Sequence, residues 1–70
     1  MEADRTPTYR VLADEKGWAI IRDGRGDPLW RSAVRADAVE YARRVATANR
    51  PSRLLLYDES GALHSRCNFD

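Results

Sequence analysis

The side chains that could perform covalent chemistry are few. The chain has one histidine, His64, and one cysteine, Cys67. On an extended strand, two residues three positions apart point to opposite faces, so these two cannot form a nucleophile–base pair. They also fall short of the three or four protein ligands usual at a zinc site. We therefore expect no catalytic site, no metal site and no cofactor, and a protein that is not an enzyme.

The loop at residues 23–28 contains part of a phosphate-binding motif but not the residues that would complete it. Gly24-Arg25-Gly26 has the spacing that opens a phosphate-binding loop. It stands between two predicted strands, however, and no Gly-Lys-Ser/Thr follows it before a helix. Asp23 and Asp27 lack the later acidic ligands that a calcium loop needs. We interpret the segment as a connecting loop and expect no small-molecule substrate.

A cluster of arginines is the strongest electrostatic feature of the sequence. The net charge of the chain is only +1, but residues 31–53 hold six arginines against two acidic residues. Such a cluster could bind nucleic acid, with Trp30 or Tyr41 stacking on a base, or it could simply solvate a helix surface. No standard nucleic-acid recognition motif accompanies it. The nucleic-acid candidates are Arg31, Arg35, Arg43, Arg44, Arg50 and Arg53.

These residues must be positioned by a small α+β domain. A stripe of Ala and Val at helical spacing predicts one helix over about residues 35–49, which Pro51 terminates. Alternating apolar residues predict strands on both sides of this helix, in the order ββ(β)αββ, and we expect an antiparallel sheet of four to five strands with the helix packed on one face. The strands are predicted at residues 8–14, 18–22, 53–57 and 62–67, with an optional short one at 29–33. Residues 1–7 are expected to be a flexible lead-in, and residues 8–70 a single domain.

The predicted strands are apolar on both faces, whereas one helix can cover only one of them. Leu54 and Leu56 face one way, while Leu55 and Tyr57 face the other. The alternation does not say which face the helix takes, so a large apolar patch could remain for a partner. Alternatively, a curved sheet could be covered by its own loops and Trp30. The interface candidates are Trp18, Trp30, Leu55 and Tyr57, which would exchange with Ile20, Leu54 and Leu56 if the helix took the opposite face.

Several short motifs occur in a recognisable order. They are Gly17-Trp18-Ala19-Ile20, the helix centre at residues 37–43, the turn at residues 58–63, and an aromatic residue near the end at Phe69. In this order the chain resembles a small bacterial family catalogued as domain of unknown function 2188, over roughly Tyr9 to Asp70. The resemblance implies a ββαββ-type fold and a bacterial or phage origin, with no assigned activity. Val34 stands where the family usually has Thr or Ser at the helix start.

The features together favour an interaction module. We expect a non-enzymatic protein that forms a homodimer or docks a protein partner through an apolar sheet face; a phage or mobile-element inhibitor of a host protein would be one version. The alternative is a nucleic-acid-binding accessory protein that uses the arginine cluster. No apolar run is long enough to span a membrane. A single cysteine and a polar N-terminus favour the reducing cytoplasm.

Overall fold

The computed structural model describes residues 6–70, which form one sheet and one helix. Of the predicted lead-in, residues 1–5 lie outside the described residues. No helix in the described part of the chain is long and apolar enough to cross a membrane. The elements are β1 (Thr8–Asp14), β2 (Gly17–Arg22), β3 (Trp30–Ser32), α1 (Arg35–Ala48), β4 (Ser52–Tyr57) and β5 (Leu63–Phe69).

The five strands form a mixed sheet in the order β3-β2-β1-β4-β5. The α+β class with one helix is confirmed, but the all-antiparallel sheet is wrong, because β1 and β4 pair in parallel. The element order also differs from the prediction in that β3 is a regular member of the sheet, paired with β2. The parallel pair has a simple cause. Helix α1 returns the chain to the end where β3 started, so β4 runs in the direction of β3, and β3 runs in the direction of β1.

The core lies between the sheet and α1. Tyr9 and Val11 of β1, Ile20 of β2, and Leu54 and Leu56 of β4 are all at most 4% exposed. They pack against a helix stripe of three fully buried alanines, Ala38, Ala42 and Ala46. Because alanine has a short side chain, the helix axis can approach the sheet closely. This packing shows which sheet face the helix takes: the one that carries Ile20, Leu54 and Leu56.

Polar contacts hold both ends of α1 without a conventional side-chain N-cap. Val34 is the N-cap residue and provides no capping side chain; its own backbone N–H donates to Ser32 Oγ at 3.1 Å. At the other end, Asn49 Nδ2 donates to the Val45 carbonyl at 2.7 Å. Ser52 Oγ, which is buried in β4, donates to the Ala46 carbonyl at 2.6 Å. The last helical turn is therefore tied directly to the sheet.

Candidate interaction surface

The sheet face opposite α1 carries the side chains that the helix does not cover. Because side chains alternate along a strand, the even-numbered residues of β1 and the odd-numbered residues of β2 and β4 share this face. We call it the helix-free face. Four of its apolar side chains lie on the three central strands and are half-buried: Leu12, Ile21, Leu55 and Tyr57. Leu63 of β5, which is paired with Tyr57, is 45% exposed.

Cationic side chains frame these apolar residues. Leu55 has Arg10 of β1 on one side and Arg66 of β5 on the other, in register. Arg10 and Arg66 are therefore separated by two strand spacings, about 10 Å in the plane of the sheet. Arg53 lies one position along the same face of β4, and His64 is exposed on β5. The face thus combines an apolar centre with positive charge.

Arg10 is held in place by two neighbours. Its guanidinium donates to both carboxylate oxygens of Asp23, at 2.7 and 3.1 Å, and to the Tyr57 hydroxyl. The hydrogen bond from Arg10 lowers the pKa of Asp23 below its ordinary value, and the same pairing raises the pKa of Arg10. These contacts join β1, β4 and the loop after β2 across the face, so the position of the Tyr57 ring is constrained.

A shallow groove crosses this face beside Leu55. Its volume is about 490 Å³, and it is open to solvent. Arg10, Arg53 and Arg66 contribute to its walls together with Asp23, and the two polar side chains Thr8 and Asn68 lie at one end. Such a groove can receive an extended side chain or backbone segment that carries acceptor groups. It encloses no buried polar group suited to catalysis.

The predicted interface residues separate between the two faces of the sheet. Leu55 and Tyr57 lie together on the helix-free face. Trp18, only 9% exposed, lies in the core on the helix side, where the Arg35 guanidinium stands 5.4 Å from the centre of its ring. Trp30 stacks on Tyr41 of α1 with ring centroids 4.7 Å apart. The two tryptophans thus connect the helix to β2 and β3, and Trp30 does not cover the helix-free face.

The six arginines of the predicted nucleic-acid cluster do not form one surface. Arg43 and Arg44 project from the outer side of α1, and Arg44 pairs with Glu40 at 2.8 Å. Arg31 on β3 pairs with Asp14 at 2.6 Å. Arg35 donates a long hydrogen bond to the Tyr57 carbonyl at 3.5 Å. Two others lie apart from these: Arg50 is exposed after the helix, and Arg53 lies on the helix-free face.

The potentially reactive residues also lie apart. His64 is exposed near the start of β5, whereas Cys67 is half-buried on the helix side of this strand. Within residues 6–70, no three side chains of His, Cys, Asp or Glu are grouped so that they could hold a metal ion.

The sequence reasoning missed Arg10 and Arg66, although a signal was present. Both alternate with less exposed residues on their strands: Arg10 stands between the buried Tyr9 and Val11, and Arg66 between the half-buried Ser65 and Cys67. Once the helix is assigned to the face of Tyr9, the alternation places Arg10 on the opposite face. The arginines were grouped by nearness in sequence, whereas those of the helix-free face come from separate strands.

Comparison with known proteins confirms the family resemblance seen in the sequence. Residues 9–69 match the family described as "Uncharacterized protein conserved in bacteria (DUF2188)". The chain belongs to this family. The match spans from β1 to the last residue of β5, so the DUF2188 region includes all six elements of the fold except the first residue of β1. No curated protein matches the chain, and no solved structure does so either.

Proposed function

We propose that this DUF2188 protein is a non-enzymatic docking module that binds a protein partner through its helix-free face. The observation that carries the proposal is the half-buried apolar strip of Leu12, Ile21, Leu55 and Tyr57 on a sheet face with no helix over it. Tyr and Arg are enriched in protein interfaces, and this face combines both types with aliphatic side chains. A cytoplasmic location fits the single free thiol, Cys67.

The charge of the face favours a foreign acidic partner over a second copy stacked on it. Arg10, Arg53 and Arg66 lie on this face, where Asp23 pairs with Arg10. Two copies stacked face to face would bring the arginines of both copies into one interface, where like charges are costly. A partner with an apolar strip bordered by Asp or Glu would instead satisfy both features. The proposed partner is therefore a protein segment with aliphatic side chains and carboxylates.

Site-specific photo-crosslinking tests this proposal. A photo-reactive phenylalanine analogue replaces Leu55 on the helix-free face in one variant and Arg43 on the outer side of α1 in the other. In cells of the source bacterium, we expect a discrete protein adduct from position 55 and none from position 43. The adduct from position 55 should disappear when Arg66 is also replaced by Glu. Adducts of equal yield at both positions, or none at position 55, would contradict the proposal.

Nucleic acid is the second candidate, and three arginines of the sheet support a site there rather than on the helix. Arg10, Arg53 and Arg66 lie on three neighbouring strands, with Tyr57 on the same face. Aromatic and arginine side chains on an open sheet can bind single strands by stacking and charge. The weak net charge of +1 limits this possibility.

Fluorescence anisotropy with a labelled single-stranded RNA and a labelled DNA duplex distinguishes the two candidates. We expect no binding tighter than tens of micromolar at physiological salt, about the strength of non-specific association. A submicromolar complex would favour nucleic acid if it weakened steeply with salt and were lost in R53A/R66A but kept in the helix variant R43A/R44A.

A further inference from the structure

The two edges of the sheet differ in length and in accessibility. At one edge, β3 has three residues; at the other, β5 has seven, from Leu63 to Phe69. Among the described residues, β5 pairs only with β4. Natural proteins usually block such an edge with proline, lysine, a bulge or a covering element. Leu63–Phe69 contains neither Pro nor Lys and has a single arginine, Arg66; the one irregularity in its pairing lies near its start, opposite the Leu56/Tyr57 step.

The direction of the backbone groups along β5 follows from the neighbouring strands. The Arg53 N–H donates to the Pro7 carbonyl, toward β1. Backbone groups alternate in direction along a strand, so those of Leu54 point toward β5, where Leu54 is paired with Cys67. The backbone groups of Cys67 therefore point back toward β4. The residues that alternate with Cys67 on the regularly paired part of the strand, Arg66 and Asn68, therefore direct their N–H and C=O groups outward.

We propose that a second copy of the chain pairs with this outward edge, β5 to β5, in an antiparallel arrangement with twofold symmetry. The outward backbone groups provide matching donors and acceptors on both copies, as a twofold interface requires. The pairing would extend the two sheets into one and place both helices on the same side. It uses the backbone groups of the sheet edge, whereas the docking proposed above uses side chains of the helix-free face; Arg66 takes part in docking through its side chain and in pairing through its backbone.

The side chains favour one register for this pairing. With the twofold axis at Arg66, the two Arg66 side chains would lie directly opposite each other, which is unfavourable for like charges. With the axis at Ser65, Arg66 would face His64, again a basic pair. With the axis at Cys67, Arg66 faces Asn68, whose amide oxygen can accept a hydrogen bond from the guanidinium, and the two arginines are not opposed. The inference is therefore a dimer in which the two Cys67 residues lie opposite each other.

Mild oxidation of the full-length protein tests the register. The two Cys67 residues form a pair without backbone hydrogen bonds between them, in which opposed side chains lie closest. We expect an oxidant such as copper phenanthroline to convert most of the wild-type chain to a disulfide-linked dimer. The double variants S65C/C67S and R66C/C67S move the thiol to the centres of the two disfavoured registers and should cross-link at least several-fold more slowly. Faster cross-linking of either double variant would overturn the proposed register.

Light scattering after size exclusion tests the pairing itself. We expect a dimer mass for the wild type at about 100 μM, a concentration at which mass action favours even a weak complex. Arg66→Pro removes an outward N–H, a change that an edge strand tolerates when this group faces solvent. This variant should keep the circular dichroism spectrum of the wild type but show half its mass.

A contrasting variant controls for folding. Leu55→Lys changes the helix-free face and leaves the edge intact, so it should remain a dimer whether or not docking is lost. A wild-type monomer at this concentration would refute edge pairing, and so would a dimeric mass for folded Arg66→Pro. If Arg66→Pro unfolds, the cross-linking rates of the wild type and the two double variants still decide whether β5 pairs in the proposed register.

Discussion

At the scale of single residues, Arg10 does the most to organise the helix-free face. It bonds Asp23 in the loop after β2 and the Tyr57 hydroxyl on β4, which is 47 positions away in the chain. The Arg10 and Asp23 side chains are 35% and 46% exposed, so solvent screens their attraction. We expect the pair to contribute less than about 1 kcal/mol to the free energy of unfolding. Its main consequence is to restrict the orientation of Tyr57.

A titration of the carboxylates checks this pairing. In Arg10→Gln, the pKa of Asp23 should rise toward the ordinary value of about 3.9, because the hydrogen bond from Arg10 is its main cause of lowering. Carboxyl-carbon NMR shifts measure this pKa directly. Asp58 serves as an internal control: its pKa is also lowered, but by the Ser60 hydroxyl and backbone hydrogen bonds, and should not change.

The sign of the accompanying pH effect follows from the same shift. A carboxylate whose pKa is lower in the folded state stabilises the fold above its unfolded pKa. This contribution is lost as the pH falls through the folded pKa. The acid-side loss of stability should therefore be slightly smaller in Arg10→Gln than in the wild type. A pKa of Asp23 that does not respond to the substitution would contradict the pairing.

At the scale of elements, the helix depends on a stripe of small residues. Ala38, Ala42 and Ala46 are fully buried against the sheet, so there is no room for a larger or charged side chain. Their opposite neighbours, such as Arg43, are solvated. The stability of the helix in the protein therefore comes from close packing rather than from its caps, since Val34 offers no side-chain cap.

Two adjacent substitutions test the phase of α1. Ala42→Asp places an unpaired carboxylate in the core and should lower the free energy of unfolding by about 3 kcal/mol or more. Arg43→Asp changes a solvated position and should cost less than about 1 kcal/mol. Denaturant unfolding followed by circular dichroism measures both. The reverse order of the two costs would show that the helix packs through a different side.

The β1–β2 turn depends on a glycine for two separate reasons. Gly17 has φ = +135°, a backbone conformation that residues with a side chain rarely adopt. A Cβ at this position would also lie 2.9 Å from the Ala33 Cα and closer still to the Ser32 carbonyl oxygen. The turn is thus held against the segment that leads into α1. Gly26 differs in both respects, because its surroundings are open and its φ is not positive.

These two glycines form a matched pair of positions. Gly17→Ala should lower the melting temperature strongly, with a cost of about 2 kcal/mol or more from backbone strain and the steric contact. Gly26→Ala should change the unfolding free energy by no more than about 0.5 kcal/mol. Thermal melts of both variants provide the comparison. Equal melting temperatures would mean that the segment after β3 does not approach Gly17 closely.

At the scale of the whole molecule, one helix covers one face of a sheet that is apolar on both. Leu56 is 4% exposed beneath α1, while its neighbour Leu55 is half-buried on the helix-free face. Within residues 6–70, the sheet therefore keeps a second apolar surface that no helix covers. The docking proposed for this surface uses side chains and the pairing proposed for β5 uses outward backbone groups, so both can operate in one assembly.

Lysine substitutions at these two adjacent positions test the assignment of the faces. Leu56→Lys should abolish the cooperative folding transition, because an unpaired ammonium group in the core costs several kcal/mol in a small domain of limited stability. Leu55→Lys should remain folded within about 1 kcal/mol of the wild type. Circular dichroism melts measure both effects. A stable Leu56→Lys together with an unfolded Leu55→Lys would mean that the helix lies on the opposite face.

The sequence by itself determined the local elements of the domain. The Ala and Val spacing located α1 to within one residue, and the alternation of apolar residues located the main strands. Both patterns report local geometry, with a period of 3.6 residues in a helix and of two in a strand.

Only the tertiary structure decided the face under the helix, the direction of β4 and the grouping of charged residues. A period of two defines two faces but does not distinguish them, so Leu54 and Leu55 were equal candidates for the core. The direction of β4 follows from the path of the chain through α1, and the alternation of apolar residues along a strand is the same for either direction. Arg10 and Arg66 lie on either side of Leu55 because three strands from distant parts of the chain pair in register. Pairing between distant segments, rather than local pattern, therefore places the residues of the helix-free face.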